Sequence, residues 1–288
     1  MADWTKRRAK FRAILEGEAC IHPGSVFDAV SARMAEDIGF PCGIFAGSTG
    51  ALAVLGAPDL IVLTLTEFAA QAYRINRASG LPLLVDADHG YGNALNVMRT
   101  VEELEAAGVA ALSIEDTLLP LAYGAGGKTS LVSLEEGVGK MKAALAARAD
   151  KNLVIAGRTS APSLTNIDDA IARALAYQEA GVDCIFLVGV RDRAQLDKAA
   201  EKIKIPIILG GAGAELADRA YLASRGVRVA LQGHRPISAA YQAAYATLKA
   251  MYEGRPVSEM PPAMSPDLTR TVMRDADYAR WIKEFLGG

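Results

Sequence analysis

Residues 82–116 read PLLVDADHGYGNALNVMRTVEELEAAGVAALSIED. Two short apolar runs, about 82–87 and 110–115, flank a stretch with apolar residues at helical spacing, Val97, Met98, Val101 and Leu104, and Gly108 stands just before the second run. An apolar run, an amphipathic helix, a glycine stop and a second apolar run spell a strand, a crossover helix and a second, parallel strand. The same punctuation recurs: Glu105-Ala-Ala-Gly-Val109, Glu179-Ala-Gly-Val182 and Ser224-Arg-Gly-Val227 each end a helix with Gly ahead of a strand.

Working outward, further runs lie at about 19–22, 42–46, 153–157, 184–188, 205–209 and 227–232, eight with the first two. Ala-rich helical stretches separate them, for example Ile171, Ala174, Leu175 and Gln178. Near-continuous apolar strands fit a parallel sheet covered on both faces. Eight such units predict an α/β protein, a (β/α)8 barrel of the TIM type, over residues 1–253. An open doubly wound sheet is the competitor, weakened because no GxGxxG follows the first strand. Residues 254–266, rich in Pro, predict a linker, and 267–288 a helical tail carrying Leu268, Val272, Tyr278, Trp281, Ile282 and Phe285. Aromatic residues beyond a finished barrel point to packing on a neighbouring subunit, or equally back onto the same barrel.

The chain has 288 residues, with 31 Lys and Arg against 33 Asp and Glu for a net charge of −2, and 51% hydrophobic residues. This balance gives no electrostatic reason to expect nucleic acid or a membrane surface as partner. No run approaches the ~20 apolar residues of a spanning helix, and the charged start Met1 to Arg8 is not followed by a signal core, so a cytoplasmic enzyme is expected. Cys20, Cys42 and Cys184 show no CxxC spacing and read as buried filler.

Barrel active sites lie at the C-terminal strand ends. There the sequence places Gly47-Ser48-Thr49-Gly50, then Asp86 and Asp88, Glu115-Asp116, Arg158, and His234 after Gly233. Asp86, Asp88 and Glu115 are hard oxygen donors suited to Mg2+, with Mn2+ as a substitute. An isolated DxD would more often cap a helix or pair with Arg99; Glu115 and Arg158 on neighbouring strands tip the balance to a metal. Arg158 is either a carboxylate clamp or the partner of a buried acid. Ser48, Thr49 and Gly50 offer a carboxylate nest. His22 and His89 receive no role. Gly210-Gly-Ala-Gly213 resembles a phosphate loop and competes with the carboxylate reading. No Lys stands at a strand end, which disfavours a Schiff-base aldolase.

The motifs Asp86-Ala-Asp-His-Gly-Tyr-Gly-Asn93, Ser113-Ile-Glu-Asp116 and Ala156-Gly-Arg-Thr159 resemble the isocitrate lyase and phosphoenolpyruvate mutase superfamily. The longer stretch to Pro120, with EEGVGK, LAYQEAG and LVGVRD, most resembles its oxaloacetate decarboxylase branch, over about residues 10–250. The resemblance implies a Mg2+-dependent barrel that turns oxaloacetate into pyruvate and CO2 through a metal-bound enolate. Carried over, Asp86 resembles the direct metal ligand, and Asp88 and Glu115 act through bound waters. Ser48 and its neighbouring amides resemble the carboxylate nest, Arg158 the oxyanion clamp, and His234 a substrate-contacting group. The family further suggests a homotetramer, a dimer of dimers, with its last helix exchanged. The loop Thr117 to Lys128 lacks the Cys-containing motif of the isocitrate and methylisocitrate lyases, and Val188-Gly189 offers no polar group toward a phosphonate. A carbon-carbon lyase of methylisocitrate or dimethylmalate type, and a non-catalytic barrel binding a 2-oxo acid, stand as the alternatives.

Overall fold

A computed structural model describes residues 4–287; Met1, Ala2 and Asp3 of the charged start, and Gly288, lie outside the described residues. Eight parallel strands run in sequence order: β1 Gly24–Ser25, β2 Gly43–Phe45, β3 Leu83–Asp86, β4 Ala111–Glu115, β5 Val154–Thr159, β6 Cys184–Val188, β7 Ile207–Gly210 and β8 Val227–Ala230. The sheet curls until Ile21, just ahead of β1, bridges Val229 of β8, with Ile21 N donating to Arg228 O at 2.9 Å and Ala230 N to Ile21 O at 2.9 Å. That is the (β/α)8 barrel the repeated punctuation implies. The first apolar run was expected to be a strand at 19–22; only Ile21 of it pairs, and β1 proper follows Pro23, which has no N–H to donate.

Helices α1 Thr5–Glu16, α2 Ala29–Ile38, α3 Gly47–Gly50, α4 Leu65–Ala78, α5 Ala94–Ala106, α6 Leu134–Ala147 and α7 Ala161–Leu164 accompany the first five strands. Then come α8 Ile167–Ala180, α9 Arg193–Lys202, α10 Arg219–Ser224 and α11 Arg235–Tyr252, followed by the tail helices α12 Pro266–Met273 and α13 Asp275–Phe285. Side-chain caps start most crossover helices: Asp28, Thr64, Asn93, Ser133, Asn166 and Asp192 each accept from a first-turn N–H. Gly108, Gly181 and Gly226, the glycines of the repeated stop, all have φ between 77° and 101°, where a side chain would be strained.

The core forms two layers. One lies between strands and helices; the other fills the barrel, where Ile44, Leu84, Val154, Phe186, Ile208 and Val229 interdigitate. Helix α1 closes the N-terminal end of the barrel with Phe11 and Leu15, so that only the opposite mouth is left for a ligand. All three cysteines are buried and unpaired.

After β8 the covering pattern stops. Of the 18 residues of α11 only Ile237 and Ala250 are buried, and Tyr241, Tyr245, Leu248 and Tyr252 form an exposed stripe at helical spacing. The tail's first helix lies on its own barrel: α12 packs beside α2, Val272 is buried, and Arg33 Nη1 donates to Val272 O at 2.6 Å. Helix α13 buries no residue and exposes Tyr278, Ile282 and Phe285.

Because Phe11 is fully buried where α1 plugs the barrel, Phe11→Ala should lower unfolding free energy by about 3–5 kcal/mol. Urea unfolding followed by circular dichroism measures it; a loss under 1 kcal/mol would mean that α1 is not part of the cooperative core.

Candidate active site

The strand ends bring the carboxylates together through sheet register. Asp86 is paired in register with Ser113, and Glu115 with Arg158, so three neighbouring strands deliver their polar ends side by side. Arg158 sits between two acids: Nη1 donates to Asp86 Oδ2 and Nη2 lies 3.0 Å from Glu115 Oε2. Ser113 Oγ donates to the other Asp86 oxygen at 3.1 Å. The guanidinium lies over the Phe186 ring, 5.4 Å from its centroid. Arg158 is thus the partner of buried acids, one of the two readings its sequence position allowed.

Asp88 reaches the site by a different route. Its φ of 49° is left-handed, and Gly90, Tyr91 and Gly92 after it also have positive φ, so the DADHGYG motif is a chain of unusual turns. A Cβ on Gly90 would meet Val97 at 2.4 Å, which only glycine avoids. The turn lays the Asp88 carboxylate against the start of α3, where a Cβ on Gly47 would come within 2.4 Å of Asp88 Oδ2. Asp116, next to Glu115, points the other way, as alternation along a strand requires. It is held behind the barrel by Arg173 Nη1 at 3.1 Å and Tyr177 OH at 2.7 Å.

The Thr49 hydroxyl and the Gly50 amide are already engaged within their own turn. The Thr49 hydroxyl donates to Ala46 O at 2.8 Å and accepts from Ala46 N, and Gly50 N donates to Ala46 O. A four-residue helix consumes these groups, leaving the half-buried Ser48 side chain at the mouth. His234, the residue before α11, accepts or donates at Nδ1 to Ser25 Oγ at 2.9 Å, and burial lowers its pKa although Asp86 and Asp59 pull it back up. Burial thus favours the neutral imidazole. His22 Nδ1 bonds Ala230 O at 2.7 Å and so braces the barrel seam. Lys140 is buried on α6, not a surface group, and donates to His89 O at 3.0 Å. The glycines after β7 are packing devices: a Cβ on Gly210 would strike Phe186, and one on Gly213 would sit 1.8 Å from Arg191 O. Gly213 N is also spent on Val190 O. This loop makes no phosphate cradle.

A model of the phosphoenolpyruvate phosphomutase family matches residues 11–252. The chain belongs to that family. It is 59% identical over 281 residues to an oxaloacetate decarboxylase of Bradyrhizobium diazoefficiens, covering 98% of this chain and 97% of that protein. Among solved structures, an oxaloacetate acetylhydrolase in complex with the inhibitor 3,3-difluorooxalacetate superposes with TM-score 0.85 at 27% identity, covering 99% and 98% of the two chains. A phosphonopyruvate hydrolase in complex with oxalate and Mg2+ gives TM-score 0.85 at 26% identity, covering 97% and 99%.

Within this phosphomutase-family barrel the cavity over the strand ends holds about 310 Å³ and includes Asp59, which the sequence reading passed over. Asp59 lies in no strand; it reaches the mouth on the 56–64 loop, where Ile61 has a φ of 58°. Only a Pro-Asp pair marked it, and that is an ordinary turn signal. Ser25 was also missed, because β1 was expected three residues too early.

Four carboxylates, Asp59, Asp86, Asp88 and Glu115, therefore share one guanidinium. Burial, with Asp86 and Glu115 beside it, pushes Asp88 well above the usual carboxylate range. Burial raises Glu115 to about 7 even though Arg158 opposes the shift. The donor set suits a hard divalent cation. Among the described residues no three acidic, histidine or cysteine side chains converge closely enough to enclose a metal ion by themselves.

The sign of the pH effect follows. Glu115 holds its proton more tightly folded than unfolded, so its contribution to stability is complete near pH 4 and is lost as pH rises through about 7, and Asp88 shifts in the same direction. In chelator, Tm should fall from pH 5 to pH 8, and Glu115→Gln should remove on the order of 1–3 kcal/mol of that loss. A mutant whose pH slope matches the parent's would show that Glu115 is ionised throughout.

Proposed function

We propose that this chain decarboxylates oxaloacetate to pyruvate and CO2 with Mg2+ as its cofactor and Mn2+ as a substitute. The observation that carries this reading is the near full-length likeness to an oxaloacetate decarboxylase, 59% identical, together with the buried carboxylate cluster beside Arg158. Asp86, Asp88 and Glu115 are the residues that would hold the cation. Bound there, Mg2+ supplies Lewis-acid charge at the 2-oxo group, worth several kcal/mol.

The protein's own residues do the rest. Ser48, Thr49 and Gly50, with the first amides of α3, orient the proximal carboxylate. Arg158 is preorganised by its two acids and adds fixed positive charge where negative charge grows as CO2 leaves. His234, held by Ser25, contacts the substrate from the loop after the last strand. Decarboxylation requires no base at C3, in keeping with a loop after β4 that offers no Cys.

Pyruvate release with Mg2+ and with chelator tests the reaction. Asp86→Ala should abolish both turnover and saturable Mg2+ binding while the barrel stays folded; unchanged affinity and rate would remove Asp86 from the metal site. Arg158→Lys keeps charge without the planar fork and should retain part of the rate, and Arg158→Ala should lose roughly 100-fold or more in kcat. A near-normal kcat in Arg158→Ala would leave Arg158 a purely structural partner.

The barrel of residues 1–253 and the tail of 254–288 form the assembly unit we propose: a homotetramer, a dimer of dimers, in which the uncovered stripe of α11 and the aromatic face of α13 pack on a neighbouring subunit. Three buried free cysteines, and no helix long and apolar enough to cross a membrane among the described residues, support a cytoplasmic setting. Truncation after Pro256 should reduce the mass found by light scattering. An oligomer of unchanged mass and stability would assign the tail to its own barrel.

A further inference from the structure

The mouth of the barrel is lopsided in charge. Among the residues lining the cavity the one cation is Arg158, and both of its terminal nitrogens are engaged, with Asp86 and with Glu115. The wall made by the end of β5 and by the loop after β4 carries hydroxyls instead, among them Ser160 and Thr129. Ser160 is fixed in place because its carbonyl accepts from Ser163 N at 3.1 Å, Leu164 N at 3.1 Å and Ser163 Oγ at 3.0 Å. Its own hydroxyl has no hydrogen bond among the described residues. Thr129 stands on the arm of a short hairpin, tied by the Thr117–Leu131 bridge and by Leu118 N donating to Ser130 O at 2.8 Å.

We infer that Ser160 and Thr129 receive the distal carboxylate of the substrate, the one lost as CO2, and that a hydroxyl wall in place of a cation there favours decarboxylation over mere binding. The inference rests on the decarboxylase reading and adds to it the group that orients the departing carboxylate. In the step itself the C3–C4 bond breaks, its electron pair moves toward the 2-oxo oxygen, CO2 leaves neutral, and a proton from water later joins C3.

The distal carboxylate therefore loses its charge as the reaction proceeds. A guanidinium or ammonium beside it would stabilise the ground state more than the transition state, lowering KM and kcat together. A neutral hydroxyl bonds more weakly than a charged donor, so it fixes direction with less of that penalty. The same wall selects for substrate: a 2-oxo acid with no second carboxylate leaves the Ser160 hydroxyl without a partner.

Four variants of the full chain with Mg2+ test this, with malate as a non-decarboxylating diacid for equilibrium binding. Ser160→Ala should raise KM for oxaloacetate roughly tenfold, with a smaller change in kcat, and Ser160→Thr should restore it. Ser160→Lys should bind malate more tightly than the parent yet turn over at least tenfold more slowly, a split that general damage to the site does not produce. Thr129→Lys, on the exposed hairpin, repeats the test should Ser160→Lys not fold, which circular dichroism reports. A folded Lys variant that binds malate more tightly with undiminished kcat overturns the inference, as does Ser160→Ala with unchanged KM. A parent chain that releases no pyruvate from oxaloacetate overturns the decarboxylase reading itself.

Discussion

Four carboxylates gathered at one barrel mouth with a single guanidinium set the terms for the rest of this structure. Buried charge of one sign is costly, and it is tolerated only when it is paired, protonated or neutralised by a cation. Arg158 pairs two of the four, Asp86 and Glu115, across three adjacent strands. Burial, with the neighbouring acids, pushes Asp88 well above the usual carboxylate range, and burial raises Glu115 to about 7 against the pull of Arg158. A divalent cation entering such a site displaces protons and relieves repulsion at once, so binding and acid chemistry are linked.

Behind the mouth, a second set of charges keeps that cluster in place without joining it. Asp116 alternates away from Glu115 and is gripped by Arg173 and Tyr177, fixing the end of β4 against α8. Lys140 reaches from α6 to the carbonyl of His89 and steadies the turn that carries Asp88. Glycines allow the close approaches that this demands, Gly47 beneath Asp88 and Gly90 beneath Val97. The acids of the mouth are thus presented by rigid elements, which is what preorganised electrostatics requires.

The molecule divides its surfaces by role. One end of the barrel is plugged by α1, the other is polar and open, and the flank after β8 is left apolar because α11 buries only Ile237 and Ala250. The chain resembles in fold both a phosphonopyruvate hydrolase and an oxaloacetate acetylhydrolase, and a common barrel supports different reactions through its mouth.

The sequence by itself determined the barrel and the identity of its main acids. Apolar runs, glycine stops and capping residues are local signals, read from a window of a few residues, and they placed β2 to β8 within two or three residues of where they lie. The strand-end rule then delivered Asp86, Glu115 and Arg158 to one mouth. Tertiary structure alone decided what depends on distant segments meeting: that β8 closes on Ile21 and shifts β1 to Gly24, that Ser25 comes to hold His234, and that the 56–64 loop carries Asp59 into the cavity. It also decided which polar groups remained available. Thr49 and Gly50 looked like free donors until a turn of helix consumed them, and Gly210 to Gly213 looked like a phosphate loop until Phe186 and Arg191 filled the space beside it. A sequence states which groups exist; only packing settles which of them already have partners.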